Sequence, residues 1–344
     1  MFVLRAVKQS DEEALLTMAG QVGDGMTTFK PDRAQIRQRI ATACSSFLEQ
    51  IPLQARDYVF VLEDVAAQRL AGVCAIKSAV GLVEPFYNYR IGTLVHSSAE
   101  LQVYSQMETL YLSNDLTGCA ELCSLFLHTD YRSGLHHKLL GKLLSKSRFL
   151  FIAQFPHLFP EKIIAEMRGY QDEQGRSPFW ESLGRHFFKM DFKRADDITS
   201  LGKKSFIAEL MPRYPLYVAC LPAEAQAVIG RVHVDTEPAR RLLLQEGMHY
   251  EGYIDIFDAG PVLQVRVGEL RATRESTLSN VQNASDNVED VAPMMIAHVD
   301  LQNFRVIAAP ALQRDGCISL TNQQQDLLHY QAGEKVRAML LNPI

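Results

Sequence analysis

The stretch Glu121-Leu122-Cys123-Ser124-Leu125-Phe126-Leu127-His128-Thr129-Asp130-Tyr131-Arg132-Ser133-Gly134 decides the reading of this chain. It runs on into Leu139-Leu140-Gly141-Lys142-Leu143-Leu144-Ser145-Lys146-Ser147-Arg148-Phe149. An apolar strand over residues 119–127 ends in a polar, basic, glycine-bearing turn, and a helix over 139–155 opens from that turn. The free backbone N–H groups of a helix start attract anions, and Arg132 and Lys138 add positive charge beside Gly134. The extended backbone at the strand end can pair with a ligand that carries amides. Coenzyme A has both parts, a pyrophosphate and a pantetheine arm with two amides. The stretch therefore points to a transferase that uses an acyl-CoA.

Composition narrows the class. At 344 residues the chain fits one large or two ordinary domains. Its 47% hydrophobic content is that of a globular protein with a sizeable core. A net charge of −5 argues against nucleic acid as a partner, since such partners call for a basic patch. No apolar run reaches the ~18 residues of a membrane span, so no membrane is expected. The first residues, Met1-Phe2-Val3-Leu4-Arg5-Ala6-Val7, read as a strand rather than a secretory leader, which suggests a cytoplasmic protein. Cys44, Cys74, Cys119, Cys123, Cys220 and Cys317 are scattered through mostly apolar segments and read as reduced core residues. Cys119 and Cys123 have three residues between them, but no second Cys/His pair completes a metal set, so no metal is expected.

Outward from the central strand, residues 2–7 form a first strand and Ser10-Asp11-Glu12-Glu13 caps a helix to about residue 22. A loop over 23–28 leads to a second helix over 32–48. Residues 58–63 and 70–79 read as a hairpin, 81–92 as an aromatic loop, and 93–112 as strand with a short helix. Beyond the central helix, 162–167 is a strand, 178–188 a short helix, 192 onward an exit strand or loop, and 205–210 a strand. Helices follow at 222–230 and at 237–246, the latter with Pro238 in its first turn, and then a strand at 250–257. The polar stretch 276–290 reads as a linker. Short strands at 294–299, 304–309 and 335–341, with a helix capped by Leu320-Thr321-Asn322, complete a small β-rich, barrel-like lobe. The expected division is a transferase domain over 1–270, then linker and lobe over 271–344. Ser177-Pro178-Phe179-Trp180-Glu181-Ser182-Leu183-Gly184 and Glu237-Pro238-Ala239-Arg240-Arg241-Leu242-Leu243-Leu244-Gln245-Glu246-Gly247 share a grammar of helix, glycine, strand. Two helices docked on one sheet, or a partial second repeat over 200–262, would both produce it.

This element order resembles the GCN5-related N-acetyltransferase superfamily. Several blocks resemble the arginine/ornithine N-succinyltransferase family more closely: Phe86-Tyr87-Asn88-Tyr89-Arg90-Ile91-Gly92-Thr93-Leu94-Val95-His96, Leu112-Ser113-Asn114-Asp115, Ala165-Glu166-Met167-Arg168-Gly169, Ser177-Pro178-Phe179-Trp180, and Tyr253-Ile254-Asp255-Ile256-Phe257-Asp258-Ala259-Gly260-Pro261. The resemblance covers nearly the whole chain and is weakest after residue 270. It implies an α/β (α+β) acyl-CoA N-acyltransferase fold, a mixed twisted sheet flanked by helices. It also implies transfer of succinyl from succinyl-CoA to L-arginine or L-ornithine in arginine catabolism, in a homo- or hetero-oligomer with a related subunit. Succinyl-CoA is then a co-substrate, and no tightly bound cofactor is expected. The departure lies in the pyrophosphate turn. The superfamily pattern is Arg/Gln-x-x-Gly-x-Gly/Ala, whereas Arg132-Ser133-Gly134-Leu135-His136-His137 has its glycine one place early and lacks the second. Either the cradle is reshaped or Gly141 supplies part of it.

The resemblance also assigns residues. The position matching Leu125 binds succinyl-CoA, and a backbone N–H near it suits the thioester oxygen. The position matching His233, in Ile229-Gly230-Arg231-Val232-His233, is the proton donor, a role an imidazole fills near neutral pH. The residue chemistry adds candidates. The donor and the acceptor each carry a carboxylate, for which Arg90 and Arg168 are candidate receivers. Lys146 and Arg148, two apart on the central helix, face different ways, so at most one meets the ligand. An acceptor guanidinium wants carboxylates, for which Asp115, Glu166, Asp255 and Asp258 are available, with Tyr87 as a pocket wall. Each has a plainer reading as ion pair, cap, turn or packing residue. His136 and His137 stand close enough to the turn to touch phosphate. Three other readings stay open: a weakly catalytic or structural subunit, an N-acyltransferase with another donor or acceptor, and an acyl-CoA sensor.

Overall fold

The computed structural model describes residues 1–22, 26, 28–134, 137–200, 205–212, 214–284 and 291–343. Most of the expected 23–28 loop, His136, and the end of the polar stretch lie outside the described residues. In chain order the elements are β1 (Phe2–Ala6), α1 (Glu12–Ala19), α2 (Arg33–Phe47), β2 (Asp57–Asp64) and β3 (Arg69–Lys77). Next come β4 (Asn88–Ser98), β5 (Val103–Ser113), β6 (Ala120–Leu127), α3 (His137–Gln154) and β7 (Lys162–Glu166). A mainly helical stretch follows: α4 (Pro178–Ser182), α5 (Gly184–Phe188), α6 (Phe192–Ser200), α7 (Ser205–Leu210), β8 (Leu216–Tyr217), α8 (Ala223–Gln226) and α9 (Glu237–Gln245). Then β9 (His249–Asp255), β10 (Pro261–Arg266) and α10 (Arg271–Glu275) lead to the last part: β11 (Thr277–Asn283), β12 (Pro293–His298), β13 (Arg305–Pro310), β14 (Gln313–Arg314), β15 (Cys317–Leu320), α11 (Asn322–Leu328) and β16 (Lys335–Leu340).

The described strands form one mixed sheet in the order β14-β15-β11-β16-β12-β13-β1-β2-β3-β6-β7-β10-β9-β4-β5-β8. Helices cover both faces of its centre, and the period-two alternation of β2 shows why. Tyr58, Phe60 and Leu62 point to the face of α3, while Val59 and Val61 point to the face of α1 and α2. Phe151 of α3 lies 4.9 Å from the Tyr58 ring, 5.0 Å from Phe60 and 4.8 Å from Phe304. Phe304 comes from the C-terminal part, whose β13 also pairs with β1 at Leu4↔Val306 and Arg5↔Arg305. The C-terminal strands thus share a sheet and a core with the rest of the chain.

Several local expectations are corrected. Residues 88–113 form one long hairpin, β4 with β5, paired from Asn88↔Ser113 to Ser98↔Val103, with no helix. The expected 178–188 helix is broken at Leu183, whose φ of −130° and ψ of −70° are not helical. The segments expected as exit strand or loop at 192 and as strand at 205–210 are helices, α6 and α7. Their apolar runs are too short for periodicity to separate helix from strand. Ile207 of α7 is instead drawn into the cluster around Trp180, Phe188 and Phe257. Within the polar stretch, Thr277–Asn283 is strand β11, tied sideways by the Gln313 amide donating to the hydroxyls of Thr277 and Ser279 at 2.6 Å each. The two helices that share a sequence grammar sit on different cores: Phe179 and Trp180 of α4 pack with Phe257, and Leu243 of α9 packs with the α3 core.

Two features of β6 position the site. Ser124 holds a left-handed φ of +53°, and the register with β3 slips between Ala75↔Cys123 and Val73↔Phe126, a β-bulge. The parallel partner β7 pairs with β6 only at Ala120↔Ile163 and Glu121↔Ile164. Past Glu121 the two strands separate and leave the β7-facing edge of β6 without a strand partner.

Candidate active site

A cleft of ≈ 1140 Å³ runs through the gap where β6 and β7 part. Residues 121–127 of β6 line its length. On one side His137, Gly141, Leu144 and Arg148 face it from α3, at the i, i+4, i+7, i+11 spacing of one helix stripe. Pro238, Ala239, Leu242 and Leu243 of α9 stand across from them. On the other side the wall is polar, with Arg39, Asp57, Lys77, Tyr87, Glu166, Arg168, Asp255 and Asp258.

At the end of β6, Arg132 lines the cleft. Its Nε donates to the Leu127 carbonyl at 2.8 Å, and its guanidinium lies 4.7 Å from the centre of the Phe126 ring. Gly134 takes a φ of +87° in open space, and its carbonyl accepts from His137 Nδ1 at 2.8 Å. Gly141 also borders open space and lines the cleft. Lys138 is exposed on the first turn of α3 and is not part of the lining.

At the bulge, Leu125 lines the cleft, and the left-handed Ser124 is held from behind. Arg39 Nη1 donates to Ser124 Oγ at 2.7 Å, while Arg39 Nε donates to Asp57 at 2.7 Å. Asp57, Lys77 and Glu121 are successive cross-strand partners on β2, β3 and β6, with Lys77 Nζ 3.6 Å from the Glu121 carboxylate. This charged ladder was not anticipated from the sequence. Its three members come from separate strands, and only the hairpin register could have paired Asp57 with Lys77.

Across the gap, Asp255 and Asp258 line the cleft but also build the turn between β9 and β10. Asp255 Oδ1 accepts from the amides of Phe257 (2.7 Å) and Asp258 (2.8 Å). Asp258 accepts from Gly169 N (2.7 Å) and Gly260 N (2.9 Å). Burial pushes the Asp258 carboxyl well above the usual range, Asp255 adds to the rise, and the two amides oppose it. Arg168 donates through Nη2 to Gln171, and its buried Nε has no hydrogen-bond partner among the described residues. Glu166 accepts from Asn88 Nδ2 at 3.1 Å, and Tyr87 is half-buried beside them. Arg90 and Asp115 do not join this group. They pair with each other at 3.7 Å on the surface, where Asp115 also accepts from Tyr253 Oη at 3.0 Å.

His233 stands just behind the wall formed by Asp235, Thr236 and Arg168. Its backbone N–H donates to the Arg168 carbonyl at 2.8 Å, and its Nδ1 accepts from the Asp235 amide at 3.2 Å. With Nδ1 accepting, the neutral ring carries its proton on Nε2. Burial lowers its pKa, the Arg168 charge lowers it further, and Asp235 opposes both. His128 makes the same local bond, Nδ1 accepting from Asp130 N at 3.2 Å, but its Nε2 is 3.0 Å from the Gln21 amide. Among the described residues no group of three or more His, Cys, Asp or Glu is placed to hold a metal ion. None of the described helices is long and apolar enough to cross a membrane.

The family model described as arginine N-succinyltransferase beta subunit matches residues 2–272. The arginine N-succinyltransferase subunit beta of Pseudomonas aeruginosa is 48% identical over 340 residues, covering 99% of this chain and 98% of that one. The chain belongs to the arginine N-succinyltransferase family. An Escherichia coli arginine N-succinyltransferase is 47% identical over 344 residues, with 99% of this chain and 98% of that one covered. The solved arginine/ornithine succinyltransferase subunit AI of Pseudomonas aeruginosa superposes with a TM-score of 0.89 at 31% identity, covering 100% of this chain and 99% of that one. The resemblance read from the sequence blocks holds, as does the α/β acyltransferase fold with a mixed sheet between helices. Membership makes the protein an acyltransferase.

Within that family frame, the cleft gathers Leu125, Arg132, Tyr87, Arg168, Asp255 and Asp258 from five separate segments of the chain. Of the two central-helix cations, Arg148 lines the cleft and Lys146 does not. Lys146 is instead sealed against Glu246, 2.9 Å away. The signal for that choice was in the sequence, because 141, 144 and 148 share a helix face and 146 falls off it.

Proposed function

We propose that this protein transfers succinyl from succinyl-CoA to the α-amine of L-arginine, with L-ornithine as a second acceptor, by direct attack in a ternary complex. The observation that carries the reading is the gap between β6 and β7 at the Ser124 bulge, which opens to an apolar α3–α9 trough on one side and a charged wall on the other. The trough suits the pantetheine arm, with the pyrophosphate at Arg132, Gly134 and the first turn of α3. Gly141, which has no side chain to obstruct the trough, completes the cradle there. Lys138 is left to attract the anion from outside the cleft.

The thioester then lies at the bulge, its carbonyl oxygen accepting from the backbone near Leu125. The arginine amine attacks from the charged wall, where Glu121, Glu166 and Asp255 can meet its guanidinium and Arg168 its carboxylate. A C–N bond forms as the C–S bond breaks. The amine loses a proton and the CoA sulfur gains one. His233 is the proton donor: in its protonated form Nδ1–H faces the Asp235 carboxylate 3.6 Å away, and Nε2–H passes to the departing sulfur, which leaves the ring neutral. The protein acts in the cytoplasm, in an oligomer.

The test is thiol release by the purified chain from succinyl-CoA with L-arginine, with L-ornithine, and with no acceptor, using acetyl-CoA as the control donor. Arginine-dependent release with succinyl-CoA supports the proposal. No release with any pair from folded, CoA-binding protein contradicts it. That outcome favours the second reading, a subunit that needs a sibling chain. The subunit names of two Pseudomonas aeruginosa relatives motivate that reading.

A further inference from the structure

Arg148 is a charge in an unusual place. Its side chain is buried, with the residue 2% exposed, yet it lines the cleft. Nε donates to the Ser145 carbonyl at 3.1 Å and Nη2 to Ser145 Oγ at 3.3 Å. Nη1 has no protein partner among the described residues, and no carboxylate there forms an ion pair with the guanidinium. Its titratable neighbours are Cys74 and Cys123. Burial pushes the Cys74 thiol up to about 12 and raises Cys123 as well, so both stay neutral and neither supplies a counter-charge. A buried cation without an anion is costly, and the cost falls when a ligand brings the anion.

The position along the helix says which part of the donor that is. From His137 in the first turn of α3 to Arg148 is eleven residues, or about 16 Å at the helical rise. An extended pantetheine arm has a similar reach, so a donor with its pyrophosphate at the start of α3 brings its acyl end to Arg148. Cys123, which lines the same cleft as Arg148, immediately precedes the bulge residue Ser124. The guanidinium therefore sits at the depth of the thioester and acyl chain, far from the pyrophosphate.

We infer that Arg148 receives the free carboxylate at the far end of the acyl group and selects a dicarboxylic acyl donor over a neutral one of the same length. The inference rests on the proposed succinyl-CoA reaction. It makes Arg148 a specificity residue that touches the donor, with no part in proton transfer. Arg168, on the opposite wall, is then left for the acceptor's carboxylate.

The experiment compares succinyl-CoA with butyryl-CoA, which has the same four-carbon chain without the carboxylate, at saturating L-arginine. It uses the wild-type chain, Arg148→Met and Arg148→Lys. In Arg148→Met, kcat/KM with succinyl-CoA should fall about 100-fold, the size expected for truncating one partner of a buried charge pair, while butyryl-CoA turnover stays within about threefold. Arg148→Lys should recover part of the succinyl preference. Removing an unpaired buried charge should leave Tm unchanged or higher. Equal losses with both donors, a preserved preference in Arg148→Met, or a fall in its Tm would each overturn the inference. A wild-type chain that ignores succinyl-CoA would instead refute the reaction on which the inference rests.

Discussion

Lys146 and Arg148 are two residues apart on α3 and both are buried, yet the protein treats them differently. Lys146 is fully paired: its Nζ lies 2.9 Å from Glu246 and donates to the Leu341 carbonyl at 3.0 Å. Glu246 also holds Arg271 at 2.9 Å, and Arg271 Nη1 donates to the Leu340 carbonyl at 3.1 Å. This sealed seam joins α3, α10 and the end of β16 behind the sheet. Arg148, on the stripe that faces the cleft, has hydroxyl and carbonyl partners but no anion among the described residues. The seam spends charge on holding elements together. The cleft keeps charge uncompensated where a ligand arrives.

The seam should give the largest effect when broken. Glu246→Gln leaves the buried Lys146 without its anion and Arg271 with only the half-exposed Glu275, and should cost about 4 kcal/mol of stability. Denaturant unfolding checks it, and a loss under about 1 kcal/mol would mean that the seam is not the clamp described. On the cleft side, His233→Ala should lower kcat about 100-fold with an unchanged Tm. Retained turnover would remove His233 from the chemistry. Between these regions lies the β9–β10 turn. A Cβ on Gly260 would come 2.0 Å from the Met167 carbonyl oxygen, so Gly260→Ala should cost about 3 kcal/mol and lower activity with it. Normal stability in that variant would show that the turn can move. The smallest effect should come from Arg90→Ala, which breaks an exposed pair outside the cleft and should shift stability by no more than about 0.5 kcal/mol. Altered acceptor kinetics in that variant would bring Arg90 back to the site.

The parts of this molecule that could be read from sequence are those where local chemistry is decisive. The β6–turn–α3 unit declares itself through an apolar run, a basic glycine turn and a helical stripe. Thr321 declares the α11 cap, accepting from Gln324 N while the Gln324 side chain accepts from the Thr321 amide. The remainder depended on contacts distant in sequence. The helical state of Ser205–Leu210 is decided by where Ile207 packs, and the strand state of Thr277–Asn283 by partners from β15 and β16. In the site, Tyr87, Arg168, Asp255 and Asp258 were named from sequence blocks and do meet at the cleft. Arg90 and Asp115 came from equally suggestive blocks, but Arg90 on β4 points to the surface and pairs there with Asp115 in the turn after β5. The Arg39–Ser124 bond and the Asp57–Lys77–Glu121 ladder need the sheet register, which no single segment encodes.

The most direct measurement is a structure of the protein with succinyl-CoA bound. The account predicts the thioester in the gap between β6 and β7, its carbonyl oxygen within hydrogen-bond reach of the Leu125 backbone N–H and the pyrophosphate at Arg132 and Gly134. A pantetheine arm lying outside that gap, with the thioester remote from the Ser124 bulge, would contradict it.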